Sequence, residues 1–304
     1  MTNQRSWRDM DYDILVRIFM ALNITDLITG VAQVCNSWRT ASCDPCLWRK
    51  LDLSTLKPKT VSIPPRPYPW SDQESSRRLK QIMKNAFYFS RGNATHFIFH
   101  YFVFLQDEHL IYAAQSNPNL KQLVLPARNY ISKTGFQQAF QRWSTLESLT
   151  VPCVICPYYM VEAIGKSCRN FYQLKVLCPF DMEFAEALIK HIPKLKILSL
   201  RCSLVYTEAI NRILKSLEHL EVLNLSHSIF VGEPDQGAET RMQTQKDCDI
   251  AALLDVSRLK RVITCKREAC LLCKHKLDDF HVGGWCCKFQ EAIWREDEVT
   301  SLAH

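Results

Sequence analysis

The sequence has 304 residues, 38 lysines and arginines against 31 aspartates and glutamates, and a formal net charge of +7. That length is a soft prior for about two domains, and the basic charge is too diffuse along the chain for a nucleic-acid binder. The 8 glycines stand at positions 30, 92, 135, 165, 232, 237, 283 and 284, where they make neither GxGxxG nor a Walker loop; most nucleotide-dependent enzymes are thereby excluded.

Residues Met1 to Asp13 lack the apolar core of a secretory signal. The longest apolar run, Phe97 to Leu105, is interrupted by His100 and falls far short of the ~18 residues a membrane span needs. The expectation is an intracellular chain, in the nucleus, the cytoplasm or both, with no membrane partner. Its 14 cysteines are then expected to stay reduced.

The chain falls into zones. Residues 1–56 read as a small helical module. Ile14, Leu15, Ile18, Phe19 and Leu22 recur at i, i+1, i+4, i+5 and i+8, which predicts one helix with an apolar stripe. Asn23 to Asp26 is a break, with Thr25 as candidate N-cap. Leu27, Ile28, Val31, Ala32, Val34 and Cys35 predict a second helix, and Asn36 to Arg39 leads on towards Leu47-Trp48. A module of about fifty residues has a marginal core. So much apolar and aromatic surface points to burial by a partner, or by the chain's own second domain.

Residues 57–71 form a linker in which Pro58, Pro64, Pro65, Pro67 and Pro69 preclude helix and central strand. Beyond it, Ser71-Asp72-Gln73-Glu74 reads as a capping box. The helix it opens carries Leu79, Ile82, Met83, Ala86 and Phe87, with Gly92 as its stop. A strand is expected near His96–Phe102, and a helix from Asp107.

Residues 72–264 are periodic. Leu120 to Leu125, Leu195 to Leu200 and Leu220 to Leu225 each read LxxLxL; Leu146 to Val151 is a close variant and Leu174 to Pro179 a weaker one. Their first leucines are spaced 26, 28, 21 and 25 residues apart, mostly within the roughly 20–29-residue period of leucine-rich repeats. Between them lie helical stripes such as Phe136, Ala139 and Phe140, or Ala209, Ile210 and Ile213; Leu259 to Val262 looks like a degenerate last strand. Each strand–helix unit has an apolar face that only a stacked neighbour can bury. The fold class expected is α/β, a leucine-rich-repeat solenoid (a horseshoe) behind an all-α module. An unrelated α/β fold with alternating strands and helices is the alternative.

In LxxLxL the leucines point into the stack and the x residues face the concave side. That face carries the candidate target-binding residues Lys121, Gln122, Glu147, Thr150, Lys175, Lys196, Ser199, Glu221 and Asn224, interleaved with Val124, Ser148, Val176, Cys178, Ile197 and Val222. Val231 to Lys246 is polar and expected to be a loop.

Residues 265–304 form a cysteine-rich tail, expected to be partly disordered. Cys270-x2-Cys273 has zinc-like spacing, and His275, His281 or Cys286-Cys287 could complete a site. A clean second pair is missing, so reduced thiols are the preferred reading and no metal or cofactor is assigned. No HExxH or GxSxG occurs, and no motif fixes a base beside a cysteine. No catalytic residue is assigned.

Trp7, Ile14-Leu15, Ile18-Phe19, Leu22, Asp26-Leu27, Val34-Cys35-x-x-Trp38-Arg39 and Asp44-Pro45-x-Leu47-Trp48-Arg49 resemble the F-box. With the repeats behind it, the chain resembles the plant F-box/LRR proteins over nearly its whole length. Asn117 to Lys121 and Ile164 to Cys168 also look like that family. The resemblance implies the non-catalytic substrate receptor of a cullin-based, SCF-type ubiquitin ligase. The F-box would bind a Skp-type adaptor, and through it a cullin, with Trp7, Ile14, Leu15, Ile18, Leu27, Val34, Cys35 and Trp38. The repeats would hold a target protein. One departure is Met10-Asp11, where the family opens its first helix with Leu-Pro. The alternative is an interaction scaffold whose F-box no longer engages the adaptor.

Overall fold

The computed structural model describes residues 7–54, 56, 73–101, 103–152, 154, 157–231, 242–243 and 259–264. The 57–71 linker, the opening Ser71 of the capping box and the cysteine-rich tail lie outside the described residues. The chain divides into two compact units, Met1–Leu146 and Glu147–His304.

The first unit opens with short helices: α1 (Tyr12–Phe19), α2 (Ile24–Thr29) and α3 (Asn36–Ser42), with 3-10 turns at Val31–Gln33 and Pro45–Trp48. The cap of α2 is Asn23, not Thr25: the Asn23 side chain accepts a 2.9 Å bond from the Asp26 amide. Asn23 precedes the first helical residue with extended backbone, which lets its side chain reach that amide, whereas Thr25 already lies inside the helix. The expected second helix is broken at Gly30, whose amide bonds back to Asp26 O at 3.0 Å and ends α2.

After the module the chain turns to strand. β1 (Lys50–Asp52) pairs in parallel with β2 (His96–Ile98), Leu51 opposite Phe97. No LxxLxL motif marks β1 in the sequence. Between them lies α4 (Gln73–Ser90), which ends at Arg91 and Gly92, both at positive φ. Gly92 is thus the predicted stop, tolerated there because glycine has no Cβ. Phe89 of α4 stacks on buried Trp48 with centroids 4.7 Å apart. There follow β3 (Phe104–Gln106), α5 (Asp107–Ser116), β4 (Gln122–Val124), β5 (Arg128–Tyr130) and α6 (Lys133–Arg142). In this unit β1, β2 and β4 form one parallel sheet and β3 pairs with β5 in another.

The second unit holds β6 (Ser148–Val151), α7 (Pro157–Ser167), β7 (Gln173–Val176), α8 (Met182–His191), β8 (Ile197–Ser199), β9 (Leu204–Tyr206), α9 (Thr207–Ser216), β10 (Val222–Asn224), β11 (Ile229–Val231), β12 (Met242–Gln243) and β13 (Arg261–Ile263). Its main sheet runs β6-β7-β8-β10-β13, with its named pairings parallel. This is the helix-backed parallel sheet of a leucine-rich-repeat solenoid. β11 pairs in parallel with β9 and antiparallel with β12. The stretch expected as loop from Val231 to Lys246 therefore contains a strand at Met242–Gln243.

Strand register corrects one repeat. Leu174 pairs with Leu149 on one side and Leu198 on the other. It therefore occupies the second leucine position of the motif, and Phe171 the first. First positions 120, 146, 171, 195 and 220 are then spaced 26, 25, 24 and 25 residues, a more even period. Buried Phe171 supplies the apolar bulk of the missing leucine. Val176 moves from the open face into the core, and buried Cys178 lies beyond the strand end.

The repeats also share a turn. Cys202 and His227 both adopt positive φ, two residues after Leu200 and Leu225 respectively. The next residue in each, Ser203 and Ser228, bonds its hydroxyl back to the preceding repeat, at Val176 O (3.3 Å) and Leu200 O (2.7 Å).

Candidate functional site

In the first unit the apolar stripe of α1 divides between two surfaces. Leu15 and Phe19 are 1% exposed, whereas Ile14 and Ile18, one residue before each, are 47% and 41% exposed. A step of one residue turns the side chain by about 100°, so a stripe this wide cannot be buried by one small core. The open side continues through Tyr12, Met20, Leu22, Val34 and Trp7.

Of the residues assigned to adaptor contact, Trp7, Ile14, Ile18 and Val34 are exposed, and Cys35 and Trp38 half-buried. Leu15 and Leu27 are buried core, each on the inward side of its short helix. Trp38 pins the N-terminal turn: its Nε1 donates to Trp7 O at 3.1 Å, and its ring meets Phe19 edge-on at 5.4 Å. Cys35 Sγ lies 3.1 Å from Ser37 Oγ, and this hydroxyl holds the thiol below its ordinary pKa.

Asp44 gives the Asp-Pro-x-Leu-Trp motif a physical meaning. Its carboxylate accepts from the Cys46 amide at 2.8 Å and from Tyr12 Oη at 2.7 Å, while Pro45 takes the first position of the turn. Trp48 Nε1 donates to Ser42 O at 2.8 Å. α1 forms despite Met10-Asp11, with the Leu15 amide bonding to Asp11 O at 3.0 Å. Sequence reasoning missed Tyr12; a tyrosine at the helix start gave no signal of its distant partner.

The residues assigned to target contact separate by motif position. The first x residues Lys121 and Lys196 are exposed, and Glu147 and Glu221 half-buried. Glu221 is ion-paired with Lys260 at 2.9 Å, which holds its carboxyl below its ordinary pKa. Gln122 and Asn224 are half-buried; Thr150, Lys175 and Ser199 are buried. Lys175 stands between Thr150 and Ser199 in one row across the strands, and all three are buried. In the second unit these rows line a cavity of about 410 Å³. Its lining includes Lys175, Ser199 and Asn224, and also Arg201, His227 and Arg261, which sequence reasoning missed. Arg201 and His227 lie just past the motif, and Arg261 lies in the degenerate last strand.

No described helix is long and apolar enough to cross a membrane. The described His, Cys, Asp and Glu residues form no group that could hold a metal ion. The candidate tail cysteines lie outside the described residues.

An F-box-like family model matches residues 12–54. The chain is 40% identical over 303 residues to the Arabidopsis thaliana F-box/LRR-repeat protein At3g48880, covering 98% of this chain and 96% of that one. It is 25% identical over 250 residues to the Arabidopsis F-box protein SKIP1, covering 75% of this chain and 81% of that one. A third relative, Arabidopsis F-box protein FBW2, is 26% identical over 233 residues, or 73% of this chain and 68% of that one.

Proposed function

From the premise that this chain belongs to the F-box/LRR-repeat family, we propose that it is the substrate-recognition subunit of an SCF-type ubiquitin ligase. Residues 1–56 are the F-box and bind a Skp-type adaptor, through which the chain joins a cullin. The repeats, within residues 72–264, present the target protein, in the nucleus, the cytoplasm or both. The chain itself is non-catalytic. It raises the effective concentration of a target lysine near the charged conjugating enzyme, so its contribution is tethering and orientation.

The observation that carries this reading is the exposed apolar side of α1, Ile14 and Ile18, continued by Val34 and Trp7. A small module that leaves such a face open has a partner for it. Fully burying an isoleucine is worth roughly 1.5–3 kcal/mol, so part of that gain from several residues suffices for a stable complex. The test is capture of a purified Skp-type adaptor by the full-length chain. Capture abolished by Ile18→Asp supports the reading. A wild-type chain that captures no adaptor overturns it and leaves the scaffold.

A further inference from the structure

In the second unit the exposed large apolar side chains, among the described residues, gather at one edge. They are Tyr159, Met182 and Tyr206, which are 42%, 38% and 39% exposed. Tyr159 and Met182 stand in the first turns of α7 and α8, and Tyr206 directly precedes α9. Backbone pairing sets them side by side. Phe180 bridges Val205 in parallel, and the Tyr206 amide donates to Phe180 O at 3.0 Å, so Tyr206 stands beside Asp181 and Met182. On the other side Tyr158 Oη donates to Asp181 Oδ2 at 3.4 Å, which ties the start of α7 to the start of α8. One strip thus crosses three repeats. Packed helices lie about 8–10 Å apart, so the strip matches roughly five or six residues of extended chain.

The strip is negative. The Tyr158 phenol is pushed up to about 12, by burial first and then by the charges of Asp181 and Glu183. The first turns of α7, α8 and α9 hold no lysine or arginine, whereas the last turns carry Lys166, Lys190 and Lys215. The helix dipole accounts for carboxylates at these ends, but it gives no reason for tyrosine and methionine to stand exposed beside them. Single exposed apolar residues are ordinary on a surface; three in neighbouring repeats, rimmed by charge, mark an interaction site. Nucleic acid and anionic lipid are repelled there. A guanidinium suits both parts of the strip, because it lies flat on a tyrosine ring and forks onto a carboxylate. Met182 offers an unbranched, polarizable contact to an apolar neighbour.

We propose that this edge binds an extended, arginine-rich segment of a partner protein. Its arginines stack on Tyr159 and Tyr206 with their charge answered by Asp181 and Glu183, and an apolar residue between them rests on Met182. The inference rests on the edge alone and goes beyond the receptor reading. The partner is identified by its charge, and it docks at the helix starts rather than on the strand face read as the target surface.

The test uses the purified full-length chain and fluorescence anisotropy with two labelled hexapeptides. One alternates arginine and leucine; its twin carries citrulline for arginine, which keeps the shape and removes the charge. The chain as a whole carries +7, so a cationic probe is not held by net charge and has to find a local site. The arginine peptide should bind about tenfold or more tightly than its twin, with affinity falling as salt rises. Tyr206→Ala and Glu183→Gln should each remove about threefold or more of that preference. Both alter exposed positions, and a thermal melt confirms the fold. Lys215→Gln, at the far end of α9, should leave the preference unchanged. Equal binding of the two peptides overturns the proposal, and so does a preference that survives both Tyr206→Ala and Glu183→Gln. Sedimentation at low salt reads the remaining occupant. Self-association that Tyr206→Ala abolishes and the arginine peptide fails to reverse assigns the edge to a second copy of the chain, and overturns the proposal as well.

Discussion

The hydroxyl of Tyr12 donates a 2.7 Å hydrogen bond to the carboxylate of Asp44, tying the start of α1 to the turn that ends the helical module. Burial pulls the Asp44 carboxyl upward, but the Tyr12 hydroxyl and the Cys46 amide outweigh it and hold the pKa below its ordinary 3.8. The reciprocal effect, led by the same bond, pushes the Tyr12 phenol up to about 12. Asp44→Ala removes a cap and this bridge and should cost about 1 kcal/mol at neutral pH. A carboxylate with a depressed folded pKa stabilises fully above its unfolded value and loses that contribution as pH falls through the folded one. The difference in urea midpoint between wild type and Asp44→Ala should therefore be constant around neutral pH, narrow as pH falls past 3.8, and narrow again as pH rises past 10.0, where the unfolded Tyr12 phenol ionises. A difference that widens on acidification would refute the assignment.

Ile14 and Leu15 are adjacent in sequence and opposite in role. Leu15→Ala empties a core position and should cost about 2–5 kcal/mol. Ile14→Asp and Ile18→Asp alter exposed positions, so their melting temperatures should stay near wild type while adaptor capture is lost. Trp38→Ala should also lose capture, but it removes the anchor of Trp7 as well, so it cannot separate contact from support. Measuring melting and capture on the same preparations checks the division; an Ile18→Asp chain that still captures the adaptor would sink it.

Much of this arrangement was legible from spacing. Leucine spacing located the parallel strands, because a buried side chain every second residue is the signature of one sheet face. It failed where chemistry substituted for leucine. Phe171 fills the first motif position, and a pattern restricted to leucine slid that repeat three residues along. The short strands β3, β5, β9 and β11 were invisible because no leucine motif marks them, although Leu105, Val205 and Phe230 are buried in them. On α1 the apolar stripe was legible but its two destinations were not, since periodicity reports that a face is apolar and not what covers it. Two segments noted for family likeness turn out to be structural. Asn117 is buried, with its side chain accepting from Ser90 Oγ at 3.0 Å and its carbonyl from Trp143 Nε1 at 2.8 Å.

The other such segment centres on Gly165. A Cβ built there would stand 2.2 Å from His191 O, a backbone atom at the end of α8 that has no freedom to swing away. Glycine to alanine in an ordinary helix interior stabilises by roughly 0.5–1 kcal/mol. At Gly165 the sign should reverse, with Gly165→Ala costing about 1–3 kcal/mol through the shift of α7 from α8. Gly135 offers the control. Its Cβ would meet the Asp107 carboxylate, also at 2.2 Å, but that is a side chain. Asp107 accepts from the Ser132 amide at 2.7 Å, so Gly135→Ala should cost the bond it displaces and less than Gly165→Ala. Thermal melts of the two variants decide the order.

The described thiols should differ in reactivity by orders of magnitude. Burial pushes Cys168 and Cys178 up to about 12, leaving a thiolate fraction of roughly one in ten thousand at pH 8. Cys35 is held below its ordinary value by the Ser37 hydroxyl and is only half-buried, while Cys46 is exposed. Iodoacetamide at mildly alkaline pH, with sites read by mass spectrometry, should therefore label Cys35 and Cys46 in the folded chain. Cys168 and Cys178 should react only in denaturant. Cys35 follows exposed Val34 directly, so its adduct places polar bulk on the face proposed for the adaptor. Alkylation at Cys35 should block adaptor capture, and Cys35→Ser should make capture insensitive to the reagent. Capture that survives complete labelling of Cys35 would move the adaptor contact away from this edge of the module and onto α1 alone.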